Sequence, residues 1–556
     1  MGKITTALLM SVLWGWGTVA APRAPDQTKT MGEVVDLVVK NENRFNLEIR
    51  KYSPLVETYI QNMKPDHALG YAPAGDKYFL GRANLSKGVG LDSFTDPDSK
   101  GGKILTGIGG LFTFGVQYIP GGFLQMIFID TTGFDKQHYK FEYATREFLG
   151  EVRCLVFDLT PLQRSGKGRF LGRIWVEDQD YNIVRFNGSY TGGGVFSWYF
   201  HFDSWRTNTQ PGSWMPSFVC SEQKDLYYGL SKKLSFKAQT RLWDYAGSHA
   251  AKEQEIGKIL VETSVQDDSK TANDFSPVQA QRAWDRQAEE HVIDHLQRIG
   301  LIAPKGEIDK VLESVVNNLE VTNSLDPDPD VRCRVLLTTT FESFTLGHTI
   351  VLSRGLIDVL PDEASLAAML ADELGHIMLG HRLDSSYAFF DQLLVDDNRT
   401  FFHFDFARTA EEERDASLKA IQYLNNSPYK GQLTGAALFL SALETRRKEI
   451  PHLISPHLGN RVPVIAGLNS GAPPDNKQNL SLSAALPIGA RVKLDPWSDK
   501  LELLKTRPVR ALAEREKMPF ELTPFMLYLT RFGSDASKPV AATIQESPPA
   551  TQEKPR

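Results

Sequence analysis

The chain has 556 residues, of which 62 are basic and 68 acidic, and a formal net charge of -6. This length exceeds a single hydrophobic core and indicates about three or four domains. Hydrophobic residues make up 41% and charged residues 23%, which is typical of soluble globular proteins. Nucleic-acid-binding proteins carry a basic excess that this chain lacks, so no nucleic-acid partner is expected.

The N-terminus has the pattern of a secretory signal peptide. Met1-Gly-Lys3 gives a positive start, residues 4–20 are mostly apolar, and Thr18 and Ala20 are small residues before a cleavage point. We predict a signal peptide over residues 1–20; an uncleaved anchor is the alternative, because the apolar run is borderline in length. No later stretch approaches the roughly 18 apolar residues of a membrane span. The mature chain is expected to be periplasmic or extracellular, without a transmembrane span.

Residues 21–255 are predicted to form an antiparallel β-rich domain. Runs of β-branched and aromatic residues, broken by Gly, Pro and Asn, recur at the intervals of a meander. Gly172-Arg-Ile-Trp-Val176, an acidic turn and Ile183-Val-Arg-Phe186 follow one another in this way. This pattern resembles the half-barrel of lipoprotein-sorting carriers, and the resemblance implies a half-barrel-like fold.

The chain contains three cysteines, Cys154, Cys220 and Cys333. An exported protein can form disulfides, and Cys154 with Cys220 is the pair expected to share a domain. The odd number leaves at least one free thiol. Three buried thiols acting as small apolar side chains are the alternative that we favour.

The sequence changes character after residue 255. Apolar residues at helical spacing predict a helical connector over residues 256–320, with one stripe formed by Ile308, Val311, Leu312, Val315 and Val316. A further domain is expected over residues 321–530. Residues 531–556 are rich in Pro, Ser and charged residues without apolar periodicity, which predicts a disordered tail. The expected fold is thus a multidomain α and β protein, with an antiparallel β domain followed by an α+β domain.

The second domain contains a helix that carries candidate metal ligands. Asp362 is a suitable N-cap before a segment rich in Ala and Leu. Asp372, Glu373 and His376 lie on this helix in the pattern D-E-x-x-H. In the H-E-x-x-H pattern the first and last residues are one turn apart and face one metal ion, and the Glu takes a proton from water. Here Asp occupies the first position.

The surroundings of this tetrad resemble the zinc metallopeptidase family that includes the HtpX-like heat-shock proteases, the CAAX-prenyl proteases and the periplasmic BepA-like proteases. The similarity runs continuously through a strand, a second strand with its turn, and the helix, and it covers roughly residues 310–470. The segments that carry it are Glu342-Ser-Phe-Thr-Leu-Gly-His348, Ile350-Val-Leu-Ser-Arg-Gly-Leu356, Asp362-Glu-Ala-Ser-Leu-Ala-Ala-Met-Leu-Ala371, Asp372-Glu-Leu-Gly-His376 and Gly380-His381. The resemblance implies an α+β metallopeptidase fold.

The family's third ligand is a Glu on a later helix, four residues before an Asp. Counting back from the apolar residues that end this helix selects Glu413 and places Ser417 where the family has Asp. Counting from Asp415 selects Glu411 instead. Residues two apart on a helix point in different directions, so only one of them can face the ion. We prefer Glu413, because the apolar register is harder to shift than one charge.

The resemblance implies a role for each of these residues. Asp372, His376 and Glu413 would bind one Zn²⁺, and Glu373 would be the general base. His381 is expected to pack or hydrogen-bond beyond the metal helix.

The segment Ser455–Arg461 resembles a family segment that approaches the active site from the far side. The resemblance implies that His457 polarises the substrate carbonyl as a second catalytic residue, and that Arg461 binds substrate. A structural turn is the alternative.

Asp372 has chemical consequences. Carboxylate oxygen is an acceptable zinc ligand, but a second anionic ligand makes the ion a weaker Lewis acid. The harder ligand set also admits other divalent ions, such as manganese.

We therefore predict an exported metal-dependent endopeptidase that acts on protein or peptide substrates, with activity that Asp372 could weaken. The alternative is a catalytically inactive relative that binds outer-membrane or other envelope proteins, or lipoproteins. A third reading has the β domain binding a lipid or lipoprotein, which a ligand-sized apolar cavity there would favour.

Overall fold

The fold was analysed in a computed structural model of the full chain. The described residues are 29–67, 70–86, 88–94, 120–163, 165–191, 200–228, 232–245, 289–381, 406–454, 458, 492–495, 500–503, 520, 522 and 527–533. The predicted signal peptide, most of the predicted connector and residues 534–556 of the predicted tail lie outside these ranges.

The N-terminal region is one antiparallel sheet of ten strands, in the order β3-β2-β1-β10-β9-β8-β7-β6-β5-β4. Successive strands pair with each other except β3 and β4, which are the two edge strands, and β1 also pairs with β10. This arrangement is the predicted meander. The predicted antiparallel β domain is thereby confirmed. The strands are β1 (Leu55–Asp66), β2 (Gly70–Asn84), β3 (Gly90–Ser93), β4 (Tyr139–Leu149), β5 (Val152–Pro161), β6 (Phe170–Glu177), β7 (Ile183–Tyr190), β8 (Phe202–Gln210), β9 (Ser213–Tyr228) and β10 (Lys232–Trp243).

Helix α1 (Met31–Glu48) packs on one face of this sheet, and a short helix α2 (Pro120–Gln125) precedes β4. Thr30 and Glu33 form a reciprocal capping box that starts α1. Val34, Val38 and Phe45 are buried in the core between helix and sheet. Helix α1 was not predicted from the sequence, although a capping box followed by apolar residues at helical spacing is a recognised signal.

The opposite face of the sheet carries a second apolar cluster that includes Trp175, Trp205 and Trp214. Leu529, from the far end of the chain, belongs to this cluster and is 1% exposed. The N–H of Glu151 donates to the carbonyl of Leu529 at 2.9 Å. The C-terminal segment 527–533 thus packs back onto the N-terminal sheet.

The second region combines helices with a three-stranded sheet of order β11-β13-β12, in which β11 and β13 are parallel and β12 and β13 antiparallel. This is the expected mixture of α and β structure. Its elements are α3 (Glu307–Asn323), β11 (Arg332–Leu336), β12 (Ser343–Leu346), β13 (Thr349–Ser353), α4 (Arg354–Val359), α5 (Glu363–Leu379), α6 (Ala410–Asn425), α7 (Leu433–Arg446) and α8 (Pro451–Ile454), with a separate hairpin of β14 (Val492–Asp495) and β15 (Lys500–Leu503).

Buried carboxylates of the N-terminal sheet bind the second region. Glu57, 1% exposed, accepts hydrogen bonds of 2.6 Å from both the N–H and the hydroxyl of Thr339, and it also pairs with Arg241. Asp76 accepts hydrogen bonds from the N–H groups of His452 and Leu453 at the start of α8. Unpaired burial of these charges would be costly, so their cross-domain partners fix how the two regions meet.

All three cysteines are buried and none is in a disulfide. In the β domain, one cavity at the end of α1 and one near Cys220 hold about 20 and 10 Å³, which is space for water and not for a lipid chain. Within the described residues, no helix combines the length and apolar character needed to cross a membrane.

Candidate metal centre

Helix α5 carries the D-E-x-x-H residues in the interior of the second region. It begins after Asp362, whose carboxylate accepts a hydrogen bond of 2.8 Å from the N–H of Ser365. It ends at Gly380, which adopts a left-handed conformation with φ of 69°. Asp372, Glu373 and His376 are at most 1% exposed. A helix rich in Ala and Leu can be buried on nearly all sides, and this burial takes its three polar residues with it.

Helix α6 brings Glu413 to these residues. Thr409 and Glu412 form the capping box that starts α6. The two helices approach so closely that a Cβ on Gly375 would lie 2.7 Å from the carbonyl oxygen of Ala416. Only glycine allows this contact, and the close approach places the first turn of α6 beside His376.

The predicted ligand residues converge. One ligand atom from each of Asp372, His376 and Glu413 lies within 4.8 Å of the others. His376 Nε2 is 4.0 Å from a Glu413 carboxylate oxygen, and the Glu413 side chain is 26% exposed. Glu411, the alternative third ligand, is exposed and is not part of this group.

The polar atoms of this group fall into two classes. Asp372 Oδ1 accepts a hydrogen bond from the Ser417 hydroxyl at 2.9 Å, and His376 Nδ1 lies 2.9 Å from Nδ1 of His381. By contrast, Asp372 Oδ2 and His376 Nε2 are buried without a hydrogen-bond partner among the described residues. Buried polar atoms are normally satisfied, so these exceptions need an explanation. Two carboxylates and an imidazole, of which Asp372 and His376 each have a buried open atom, fit a divalent cation.

Burial and crowding shift the protonation of the site. Burial, with added repulsion from Glu373 and Glu413, raises the pKa of Asp372 well above its usual range. Burial raises the pKa of Glu373 and of Glu413 to about 7 each. Burial, together with the charge of Arg408, lowers the pKa of His376 to about 3. The imidazole is therefore neutral at physiological pH, which is the form that binds metals.

Arg408 is a charged neighbour of the site that the sequence analysis missed. It precedes the N-cap of α6 and donates a hydrogen bond of 2.9 Å to the hydroxyl of Thr345 on β12. Its charge favours the ionised forms of Glu373 and Glu413, against the larger effect of burial. No motif surrounds it in the sequence.

His457 and Arg461 lie outside the described residues. Between them, Leu458 is described: its N–H donates to Glu342 at 3.3 Å and its carbonyl accepts from the N–H of Phe406 at 2.9 Å. Glu342 is a buried carboxylate to which the sequence analysis gave no role. Because Glu342 directly precedes β12, this hydrogen bond holds Leu458 beside the start of that strand.

Comparisons with known proteins give one family match and one structural similarity. Residues 304–443 match the model of Peptidase family M48. Among solved structures, the chain is similar to the LolA superfamily protein NE2245 from Nitrosomonas europaea, at 14% identity and a TM-score of 0.20, over 39% of this chain and 96% of that one. No curated protein matches the chain. The predicted resemblance to zinc metallopeptidases is thus confirmed for residues 304–443, which hold all four residues of the candidate centre.

Proposed function

We propose that the protein is an exported metal-dependent endopeptidase whose ion is held by Asp372, His376 and Glu413. The observation that carries this proposal is the convergence of these three side chains within 4.8 Å, beside the fully buried Glu373. The match of the surrounding region to a peptidase family supports it. A peptidase acts on protein or peptide substrates, and these are the partners that we assign.

The open atoms of the site suit one divalent ion. When bound, such an ion supplies a Lewis acid that polarises a peptide carbonyl and makes water more acidic. We propose zinc, which accepts imidazole nitrogen and carboxylate oxygen alike. Two carboxylates in the set also make manganese or a similar ion an acceptable occupant.

Glu373 is the proposed general base. It directly follows the first ligand position. No described donor meets hydrogen-bond geometry with its two carboxylate oxygens, and the nearby Ser343 hydroxyl favours its ionised form against burial. In peptide hydrolysis it would take a proton from the attacking water and hand it to the leaving amine. Arg408 favours the ionised carboxylate that accepts this proton. His457 and Arg461 stay predictions for carbonyl polarisation and substrate binding.

The role of Glu373 is tested by Glu373→Gln. This variant should lower casein cleavage by about 10²- to 10⁴-fold, because it removes the proton acceptor. Its metal content should equal that of wild type, because Glu373 is not a ligand. Undiminished cleavage would show that the activity belongs to another site.

The ligand set is tested by a pair of variants on one helix. Glu413→Ala should sharply weaken the binding of Zn²⁺, measured by calorimetry on metal-free protein. Glu411→Ala, which changes an exposed residue two positions away, should bind as wild type does. The reverse order would mean that the third ligand is Glu411.

The second candidate function is a non-catalytic binding protein, and Asp372 is the observation that favours it. A second anionic ligand weakens the ion as a Lewis acid. Wild type that binds metal but cleaves neither casein nor unfolded peptides would establish this reading. A lipid-carrying role gains no support from the two cavities in the β domain, which hold about 20 and 10 Å³.

The domain boundaries that we propose lie near residues 255, 320 and 530, as predicted from the sequence. Export follows from the proposed signal peptide over residues 1–20. N-terminal sequencing of the native protein should begin near Ala21. Recovery of an intact N-terminus from a cytoplasmic fraction would contradict this.

A further inference from the structure

Ser417 contacts Asp372, one of the proposed ligands of the candidate metal centre. It lies one helical turn after Glu413 on α6, and its hydroxyl donates to Asp372 Oδ1 at 2.9 Å. Asp372 is 1% exposed, and its other oxygen, Oδ2, has no hydrogen-bond partner among the described residues. The hydrogen bond therefore occupies one oxygen of the carboxylate and leaves the other open.

The same arrangement recurs at the second ligand. His376 Nδ1 lies 2.9 Å from His381, while His376 Nε2 is left open. Two of the three ligand side chains are thus each held through one atom and open at the other. Contacts of this kind orient metal ligands, and their removal commonly lowers metal affinity by about 10- to 100-fold.

The polarity of the Ser417 contact fits a carboxylate and not an imidazole. A ligand imidazole has a second N–H to donate, so an acceptor such as a carboxylate suits it. A ligand carboxylate has no proton to donate and needs a donor, which the Ser417 hydroxyl supplies. Aspartate at 417 would place two carboxyl groups at hydrogen-bond distance in a buried site, where both can be ionised only at a high cost.

Positions 372 and 417 are also the two ligand-related positions at which the chain departs from the metallopeptidase pattern. The structure shows that these two departures touch each other. The carboxylate stands at 372 instead of 417, and the partner at 417 has changed from an acceptor to a donor.

Building on the proposed function, we propose that Ser417 is a positioning residue for Asp372, and that the two residues form a matched pair. Ser417 holds the Asp372 carboxylate so that a single oxygen faces the ion. Asp372 would be poorly matched to an Asp at position 417, and Ser417 would be poorly matched to a His at position 372.

The first experiment titrates metal-free protein with Zn²⁺ and, separately, Mn²⁺ in a calorimeter. Ser417→Ala should weaken binding by about 10- to 100-fold, as for other residues that orient a ligand. Ser417→Thr keeps the hydroxyl and should restore most of the affinity. Leu418→Ala, which changes the adjacent side chain that is 59% exposed, is the matched control and should bind as wild type does. Equal binding by Ser417→Ala and wild type would overturn the proposal.

The second experiment tests the pairing with Asp372→His, Ser417→Asp and the double variant. In metal-free protein, Ser417→Asp should lower the melting temperature, and adding Asp372→His should restore it. With Zn²⁺, the double variant should bind at least about tenfold more tightly than the product of the two single effects predicts, because contacting residues couple. Independent effects of the two changes would overturn the matched pair.

The outcomes separate the two proposals. Wild type that takes up neither ion overturns both the proposed function and the positioning role. Wild type that binds metal while Ser417→Ala binds equally well overturns only the role of Ser417.

Discussion

Buried charged side chains are paired with opposite charges in the N-terminal region, whereas carboxylates cluster together in the candidate metal centre. At the N-terminal sheet, Arg206 on β8 donates two hydrogen bonds of 2.7 Å to Glu42 on α1, and both side chains are at most 2% exposed. In the centre, Asp372 and Glu373 are buried as deeply but are adjacent carboxylates with open oxygens. A buried charge that serves folding has an opposite charge beside it, whereas a cluster of like charges points to a ligand that completes it.

The largest effect should come from breaking the buried ion pair between Glu42 on α1 and Arg206 on β8. Glu42→Gln leaves Arg206 buried without a compensating charge and should lower the free energy of unfolding by about 3–5 kcal/mol. Urea unfolding followed by tryptophan fluorescence measures it.

Glu48→Gln, on the same helix, is the control. Glu48 is 48% exposed and lies 3.9 Å from Arg44, and an exposed pair of this kind contributes about 0.3–0.5 kcal/mol. Similar losses for the two variants would mean that burial does not distinguish these pairs.

In the metal centre, removing a charge should raise the free energy of unfolding instead of lowering it. In metal-free protein at pH 8, Glu373→Gln should raise the free energy of unfolding by about 0.5–2 kcal/mol, as is common when a functional charge is removed. Burial raises the pKa of Glu373 from 4.5 to about 7, so its ionisation favours the unfolded state and stability falls as pH rises through 7. The gain should therefore shrink at pH 4.

Thermal unfolding in the presence of a chelator, at the two pH values, measures this gain. Glu411→Gln, which removes an exposed charge, should have little effect. A loss of stability for Glu373→Gln at pH 8 would show that this carboxylate makes a stabilising contact.

A third carboxylate, Asp76, lies between the two regions and satisfies two N–H groups of α8. Asp76→Ala should lower stability by about 0.5–2 kcal/mol, as for loss of a helix cap. Lys77→Ala, at the exposed neighbouring position, should change it little. An unchanged free energy of unfolding for Asp76→Ala would mean that water replaces the carboxylate at no cost.

The smallest effect concerns Asp130, a satisfied carboxylate of the sheet region. Burial alone would raise its pKa, but hydrogen bonds from Tyr139, the N–H of Thr132 and Arg169 outweigh burial and lower the pKa below 3.8. Its stabilisation is therefore complete above that pH and is lost as pH falls through the folded-state pKa.

Asp130→Asn should lower the free energy of unfolding at pH 6 by about 1 kcal/mol, comparable to one hydrogen bond. The difference from wild type should narrow toward pH 3, which unfolding curves at several pH values will show. A constant difference across this range would contradict the lowered pKa.

Sequence patterns within single helices predicted much of this structure. The cap at Asp362 and the apolar spacing after it predicted a helix, and α5 runs from Glu363 to Leu379. The apolar register of α6 selected Glu413 over Glu411, and the structure places Glu413 beside His376. The helix prediction used only residues within that helix, whereas the choice of Glu413 also used the pattern of the metallopeptidase family. In both cases the relevant spacing lies within one helix, where it fixes which side chains share a face.

Contacts between distant parts of the chain could not be predicted in this way. Glu57 and Thr339 are 282 positions apart, and no local pattern marks either as part of an interface. Ser417 illustrates the same limit: in the sequence it stands for a missing Asp, and only the fold places its hydroxyl on Asp372. A hydrogen-bond donor and acceptor in different elements can be recognised as a pair only when the fold shows that they are in contact.

The return of segment 527–533 to the sheet has a consequence for how the protein can be divided. Arg531 pairs with Glu177 on β6 at 3.0 Å, and Leu529 is buried beneath the tryptophans of that face. In topological terms the peptidase region is an insertion, since sheet-packing residues flank it on both sides in sequence. A cut near residue 255 would leave two fragments that still hold each other through this returning segment. Expressing the N-terminal region alone would instead expose a tryptophan-rich apolar surface, which favours aggregation.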